Sequence, residues 1–534
     1  MSKSSIKKIS KENIHGWMDE NLLNLLPPDF FHDPVSSTLK MGGKVIKESK
    51  WRWAGILTLP SGRRVFLKRD RTKGWFESLK YIFLPSRGRR EWLIAYRLRK
   101  ENLPIPTPLG WMEKVRWGWV EESYYLSEAI DSGISLIEDS GPLVRSSSLN
   151  GLAETLRRIN DSGLLHKDLH AGNLLWDGKS FYLTDLHNSR IARSLSLNQR
   201  LFNLAHLFHS LRWAWREEER SRFMEKYFEK ASIPFQKKEQ MLQHVQSLMN
   251  RLQKRQWRSR TKRCLKESSG FRVRREMGMS YYHRSDFPLD SLKKVLEDHG
   301  RLLKEKPSAL VKHSPKVAVS ILGNGEKRVS VKHYRPLTFF DHFKEHFRRS
   351  KGLKAWVAGN SLGVRGIPSL KPLALVEKRN WLGLEDCFFL MEASKAHQQL
   401  DRYILKGFKD CRGKRLFLKT FAQWLSCFHR MDIYHKDMKS SNILVSEKEP
   451  TWDFYLLDLE DVLLNKKVDE VKLFKTFLQL NTSIPTIITR TDRLRLLKEY
   501  IALNPVIKNR KVFIQRLMVE SDRRGYAQFV REVT

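Results

Sequence analysis

The chain has 534 residues, 41% of them hydrophobic and 30% charged, which supports buried cores and rules out a disordered polymer. Lys and Arg number 99 against 59 Asp and Glu, a formal net charge of +40 that suits an anionic partner and excludes nothing about the fold. Four scattered cysteines with no CxxC pair, a start without an apolar leader and the absence of any run of about 18 apolar residues argue against a disulfide framework, a secreted protein and a membrane-spanning one.

Taken in chain order, the first strong element is RVFLK (64–68), a β-rich run ending in Lys68. A helical pattern, RREWLIAYRL, follows and carries Glu91. PIPTP (104–108) then leads to the strand YYLSEA (124–129), with Glu128 near its end. The stretch LAETLRRI (152–159) reads as a helix, and HKDLHAGNLL (166–175) as a polar loop running into a short apolar strand. YLTDL (182–186) supplies the next strand and Asp185. The amphipathic run 201–215 is most simply a core helix.

The same landmarks then recur in the same order: RVSVK (328–332), IPSLKP (367–372), FFLMEA (388–393), HKDMKSSNIL (435–444) and YLLDL (455–459). Lys68 and Glu128 are 60 apart, as are Lys332 and Glu392, and Lys68 to Asp168 and Lys332 to Asp437 are 100 and 105 apart. Two homologous domains are therefore expected, at 30–235 and 300–534, with an N-terminal extension 1–29 and a connecting region 236–299. Within that region, 251–275 holds eleven Lys or Arg against one Glu, a solvated helix face or a contact surface for an anionic membrane. FRVRREMGMSYYHR (271–284) reads as an extra hairpin of the second domain.

The chemistry lies in the polar loop. Asp168, Asn173 five residues on, and Asp185 on the next hairpin place three oxygen-bearing side chains around one point, the set that phosphoryl transfer from ATP needs. One carboxylate orients the attacking hydroxyl and accepts its proton, while the Asn amide oxygen and the second carboxylate suit Mg²⁺, a hard cation. Lys68 at a strand end would neutralise the α- and β-phosphates, and Glu91 would orient it.

HKDLHAGN with a downstream TDL resembles the HxDxxxxN…D pattern of kinase-like phosphotransferases, and RVFLK, the REW helix start, PIPTPLGW and RLFNLAHLFHSLRW are similar to the lipopolysaccharide kinases of the Kdo/WaaP family. The second half carries its own set: VSVKHY, KAW, RGIPSLKPLAL, HKDMKSSNIL and TDRLRLLKEY. The resemblance implies an α+β chain of two tandem protein-kinase-like domains, each with a β-rich N-lobe and a helical C-lobe. It implies Asp168 as catalytic base, Asn173 and Asp185 as Mg²⁺ ligands, Lys68 and Glu91 as the ATP-positioning pair, and Glu128 in the hinge beside adenine. Asp437, Asn442, Asp458, Lys332 and Glu392 take the same places in the second half, and His166 and His435 brace the two loops. The implied reaction is ATP- and Mg²⁺-dependent phosphorylation of a Kdo or heptose hydroxyl on lipopolysaccharide inner core, or on a related glycolipid. It would take place at the cytoplasmic face of the bacterial inner membrane, the enzyme being peripheral there.

Several features depart from protein kinases. No GxGxxG precedes either lysine; Gly42-Gly43 and Gly323-Asn324-Gly325 are the nearest candidates, and the latter reads as a plain hairpin turn. No DFG glycine follows Asp185 or Asp458, and no Ala-Pro-Glu appears, which disfavours a gripped peptide and favours a small or lipid-borne acceptor. Ala355 stands where Glu91 aligns, judged by Trp92 and Trp356, so the Lys–Glu pair is expected to be missing from the second half, which is active or a pseudokinase. The rival readings are an atypical protein Ser/Thr kinase and a non-catalytic nucleotide-binding scaffold. Nucleic acid is not favoured, because no recognised module accompanies the basic segment.

Overall fold

The computed structural model describes residues 5–526 apart from 12, 132, 139–145, 231–234, 324–327, 337–347, 382, 394–396 and 449–450. Its contacts divide the chain into two units, Met1–Gln253 and Lys254–Thr534.

The first unit opens with seven strands: β1 (Ile6–Lys11), β2 (Ile14–Asp19), β3 (Lys44–Ser49), β4 (Arg52–Thr58), β5 (Arg64–Arg71), β6 (Pro108–Arg116) and β7 (Trp119–Glu128). They form one antiparallel sheet in the order β1-β2-β6-β7-β5-β4-β3. Alternation places Trp53, Leu57, Val65 and Leu67 in the core under the sheet, together with Ile14, Met18 and Phe30. Two short helices, α1 (Glu20–Leu25) and α2 (Pro34–Lys40), cap this core, and α3 (Trp75–Phe83) and α4 (Arg87–Lys100) follow β5.

The helical lobe contains α5 (Ser146–Asp161), α6 (Leu197–Ser210), α7 (Glu217–Tyr227) and most of the long α8 (Phe235–Thr261), with short strands β8 (Ile134–Ser135), β9 (Leu164–His166), β10 (Leu174–Trp176), β11 (Phe181–Leu183) and β12 (Ser189–Ile191). Leu152, Leu156, Leu204, Phe208 and Trp215 share its core, so the run 201–215 is mostly interior, with Trp213 as an exposed exception.

The second unit repeats the arrangement. Its sheet contains β13 (Phe271–Glu276), β14 (Met279–Arg284), β15 (Lys312–His313), β16 (Val317–Leu322), β17 (Arg328–Tyr334), β18 (Pro372–Asn380) and β19 (Gly383–Ala393). The strand order is β13-β14-β18-β19-β17-β16-β15, position for position that of the first sheet. A helix, α9 (Leu289–Glu305), seats Leu292 against Val331, Val376 and Leu390.

These pairings redraw the expected boundaries. The region 1–29 is not an appendage: β1 and β2 pair with each other and β2 pairs with β6, because alternate residues such as Ile14 and Met18 enter the core. The region 236–299 contains nearly all of α8, the hairpin β13–β14 and the start of α9. The hairpin β13–β14 joins the second sheet through β18, in the place that β1–β2 takes in the first. Just before it, Cys264 is buried, and its carbonyl accepts the Trp356 indole N–H at 2.9 Å. Many of the basic side chains of 251–275 remain exposed, but Trp257 lies under the Arg365 guanidinium at 4.8 Å.

Gly42-Gly43 does not lie where a phosphate-covering turn is expected. That turn, between β3 and β4, is Ser49–Arg52 and has no glycine. Gly42 lies between α2 and β3, and Gly323 begins the β16–β17 connection, whose Asn324 and Gly325 lie outside the described residues.

Candidate active site

A short motif positions the first site. In SRGRREW, Ser86 caps α4 by accepting the Arg89 N–H at 3.3 Å. Gly88 then lets the helix lie on β7: a Cβ there would sit 2.4 Å from the Tyr124 carbonyl oxygen. That close approach carries Glu91, one turn on, to Lys68 of β5. Lys68 Nζ donates to Glu91 Oε2 at 2.8 Å and to Asp185 Oδ1 at 2.6 Å. The other Glu91 oxygen accepts the Leu186 N–H at 3.2 Å, tying the helix to the turn that follows Asp185.

Asp185 itself has a left-handed backbone, φ +58°, as does Asp458 at φ +48°. A short polar side chain tolerates this region better than most, and such strain gathers at functional sites. His187, buried two residues on, hydrogen-bonds Asp185 through Nδ1, and its Nε2 meets Arg52 Nη2 at 3.0 Å.

The charges respond to this crowding. Burial opposes the Lys68 charge, but Glu91 and Asp185 hold its pKa above the ordinary lysine range. Burial likewise works against the Asp185 charge, yet the His187 hydrogen bond and Lys68 keep it well below the usual carboxylate range. Glu91, fully enclosed, is pushed up by burial despite Lys68.

The loop between β9 and β10 carries the remaining groups. His166 accepts the Asp168 N–H on Nδ1 at 3.2 Å, and its Nε2 reaches the Thr184 carbonyl at 3.3 Å, so the ring spans the loop and the strand before Asp185. Asn173 Nδ2 donates to the Asp168 carbonyl at 3.0 Å, which leaves its Oδ1 as the atom able to ligate a cation. The Asp168 carboxylate is 57% exposed, with His170 Nε2 at 4.0 Å. Asn173 Oδ1 and the Asp185 carboxylate are hard oxygen donors and fit Mg²⁺. Glu128 stands at the end of β7, where its N–H donates to the Thr107 carbonyl and its side chain accepts from Arg63 at 3.0 Å.

The second unit repeats the loop. His435 accepts the Asp437 N–H at 3.2 Å and reaches the Leu457 carbonyl at 3.2 Å, and Asn442 donates to the Asp437 carbonyl at 2.8 Å. Glu392 is the penultimate residue of β19, close to where Glu128 stands in β7, with its N–H on the Lys371 carbonyl. Two features differ. Lys439 Nζ lies 3.0 Å from Asp437 Oδ1. Ala355 is buried and offers no carboxylate, but Lys332 Nζ still donates to two: Asp458 Oδ1 at 2.6 Å and Glu460 Oε1 at 2.7 Å. The lysine's second partner has moved from the helix to the turn, and these carboxylates hold Lys332 above its ordinary range against the effect of burial.

The profile of the lipopolysaccharide kinase (Kdo/WaaP) family matches residues 41–227 and 341–500, more than half of the chain and one stretch in each unit. The chain belongs to that family. It is a kinase, built as two tandem kinase-like domains. A solved structure of WaaP in complex with acyl carrier protein is similar at 18% identity and a TM-score of 0.34, over 44% of this chain and 97% of that one. No curated protein matches the chain.

Three site residues were not anticipated as such. Glu460 was visible only as the residue after Asp458-Leu459, and aligning the repeats on Lys and Trp points to Ala355 instead. Arg52 carries no sequence signal, because its place beside His187 depends on the turn before β4. His187 reads as structural from sequence, and its contacts to Asp185 and Arg52 put it within the charged cluster.

Proposed function

We propose that the first unit transfers the γ-phosphoryl group of ATP to a sugar hydroxyl, Kdo or heptose, of lipopolysaccharide inner core or of a related glycolipid. The observation that carries this is the convergence of Glu91 and Asp185 on Lys68, each within hydrogen-bonding distance of its Nζ, with family membership naming the acceptor class. Lys68, fixed by Glu91, would bind the α- and β-phosphates. Asn173 and Asp185 would hold Mg²⁺, which when bound neutralises charge on the β- and γ-phosphates. The exposed Asp168 carboxylate accepts the hydroxyl proton as the acceptor oxygen bonds to the γ-phosphorus. The bond from that phosphorus to the β–γ bridging oxygen breaks, and ADP leaves. Glu128 lies at the hinge, where adenine would meet backbone groups.

The second unit offers Lys332, Asp437, Asn442 and Asp458, with Glu460 in the Glu91 role, so nucleotide binding there is expected. The site of action proposed is the cytoplasmic face of the inner membrane. Among the described residues no helix is long and apolar enough to cross a membrane.

The test is transfer from radiolabelled ATP with Mg²⁺ into an envelope glycolipid extract by the wild type, Asp168→Asn and Asp437→Asn. Label in glycolipid that is lost with Asp168→Asn is expected, and loss with Asp437→Asn as well would assign turnover to both units. Label in protein would favour a protein kinase, and full activity of Asp168→Asn would remove that residue from the chemistry.

A further inference from the structure

Helix α3 is built inside out. Its polar side chains face the protein: Glu77 accepts from Arg87 Nη2 at 2.7 Å and from the Tyr81 hydroxyl at 3.1 Å, and Ser78 Oγ donates to the Val120 carbonyl at 3.2 Å. Its apolar side chains face outward, with Trp75, Phe76 and Phe83 exposed to 63, 70 and 82%. Leu79 and Ile82 lie on the same outer face, and no residue of α3 is buried. A surface helix in water normally shows the opposite arrangement.

The anchor on Val120 sets α3 beside the turn between β6 and β7. That turn carries Trp117, which is 85% exposed, backed by the Arg116 guanidinium at 4.6 Å, and Trp119 at its foot. Two separate elements therefore present aromatic side chains at one end of the first sheet. Lys73, Lys80 and Arg116 are exposed around them; of the acidic residues nearby, Glu77 is engaged by Arg87 and Glu121 lies 3.8 Å from Arg116. The second unit has Trp381, 86% exposed, at the corresponding β18–β19 turn.

We propose that this end of the first sheet, α3 with the β6–β7 turn, docks on an anionic lipid surface. Three observations favour that occupant. The apolar groups protrude from a helix and a hairpin tip, a shape that enters a headgroup layer. The Trp and Phe side chains surrounded by Lys and Arg match the composition of interfacial membrane contacts. A second copy of the chain would bring the same basic rim against itself, whereas an anionic lipid complements it. The proposal thus places membrane contact on α3 and the hairpin tip and not on the basic segment 251–275.

The test is flotation of the full chain with vesicles of phosphatidylcholine containing phosphatidylglycerol, and with phosphatidylcholine alone. Neither contains a glycolipid, so the outcome does not depend on the acceptor. The expected result is binding to the anionic vesicles, a blue shift of tryptophan emission, and a loss of about tenfold or more in partition for Trp75→Ser/Phe83→Ser. Because both side chains are exposed, the double variant should keep the wild-type thermal midpoint. Arg255→Glu/Arg258→Glu should bind as the wild type does. Three results would overturn the proposal: no binding by the wild type, undiminished binding by the α3 variant, or loss confined to the 251–275 variant. A dimer that the α3 variant dissociates, with no vesicle binding, would overturn it in favour of self-association.

Discussion

Lys332 and Glu460 meet at 2.7 Å in the second unit, although the helix residue that fills this role in the first unit, Glu91, is matched there by Ala355. The lysine has kept two carboxylate partners while one of them changed its element of origin. If both pairs position nucleotide, Glu460→Gln should weaken Mg·ATP binding by the second unit about tenfold, the scale of one charge-assisted contact. Titration of full-length protein in a Lys68→Met background isolates that unit. Unchanged affinity would make the Lys332–Glu460 pair merely structural.

Gly88 is required by geometry. Gly88→Ala puts a methyl group 2.4 Å from the Tyr124 carbonyl oxygen, and backbone cannot step aside cheaply. The helix must lift off β7 and draw Glu91 away from Lys68. We expect a loss of about 1–3 kcal/mol in stability, the usual overpacking range, and at least a tenfold drop in phosphoryl transfer. Turnover and thermal midpoint measured side by side distinguish this from general unfolding, in which both would collapse together.

Trp356→Ala probes the boundary of the second unit. The indole is fully buried and holds the Cys264 carbonyl. Its removal should cost about 3–5 kcal/mol through the cavity, with a further penalty for the unpaired carbonyl. Denaturant unfolding would show this as an earlier transition of the second unit. A shift near zero would mean that the segment around Cys264 is loosely attached.

Acid should weaken the second unit. Burial lowers His299 to about 4 and His429 to about 3, and His333 and Arg335 add to the effect at His299. The unfolded chain takes up these protons near pH 6.5, so below that value it binds more protons than the folded state. Stability is therefore complete above about pH 6.5 and falls as pH drops toward 4, by up to about 3 kcal/mol for His299. Thermal midpoints measured from pH 7.5 to 4.5 should fall along this slope, and His299→Gln should flatten it. A flat profile in the wild type would contradict the burial argument.

The sequence made the landmarks legible wherever chemistry constrains a residue type at a fixed place. Lys68, Asp168, Asn173 and Asp185 recur as Lys332, Asp437, Asn442 and Asp458 because each role tolerates few alternatives. The hairpins β1–β2 and β13–β14 were illegible as a repeat. IKKISKENIHGWMD and FRVRREMGMSYYHR share only alternation, which is all that an outer hairpin held by backbone pairing demands. Glu460 was hidden for a different reason: alignment compares positions along the chain, whereas an ion pair depends only on where side-chain atoms end up. The exposed face of α3 was missed because a helical apolar period reads the same whether it points inward or outward.

The matching order of the two sheets extends to their outermost hairpins, and this bears on descent. The same outer hairpin beside the same strand in both halves is what two copies of one seven-stranded lobe would carry. Divergence has since acted within a finished scaffold, so the two halves are paired records of which substitutions that scaffold tolerates.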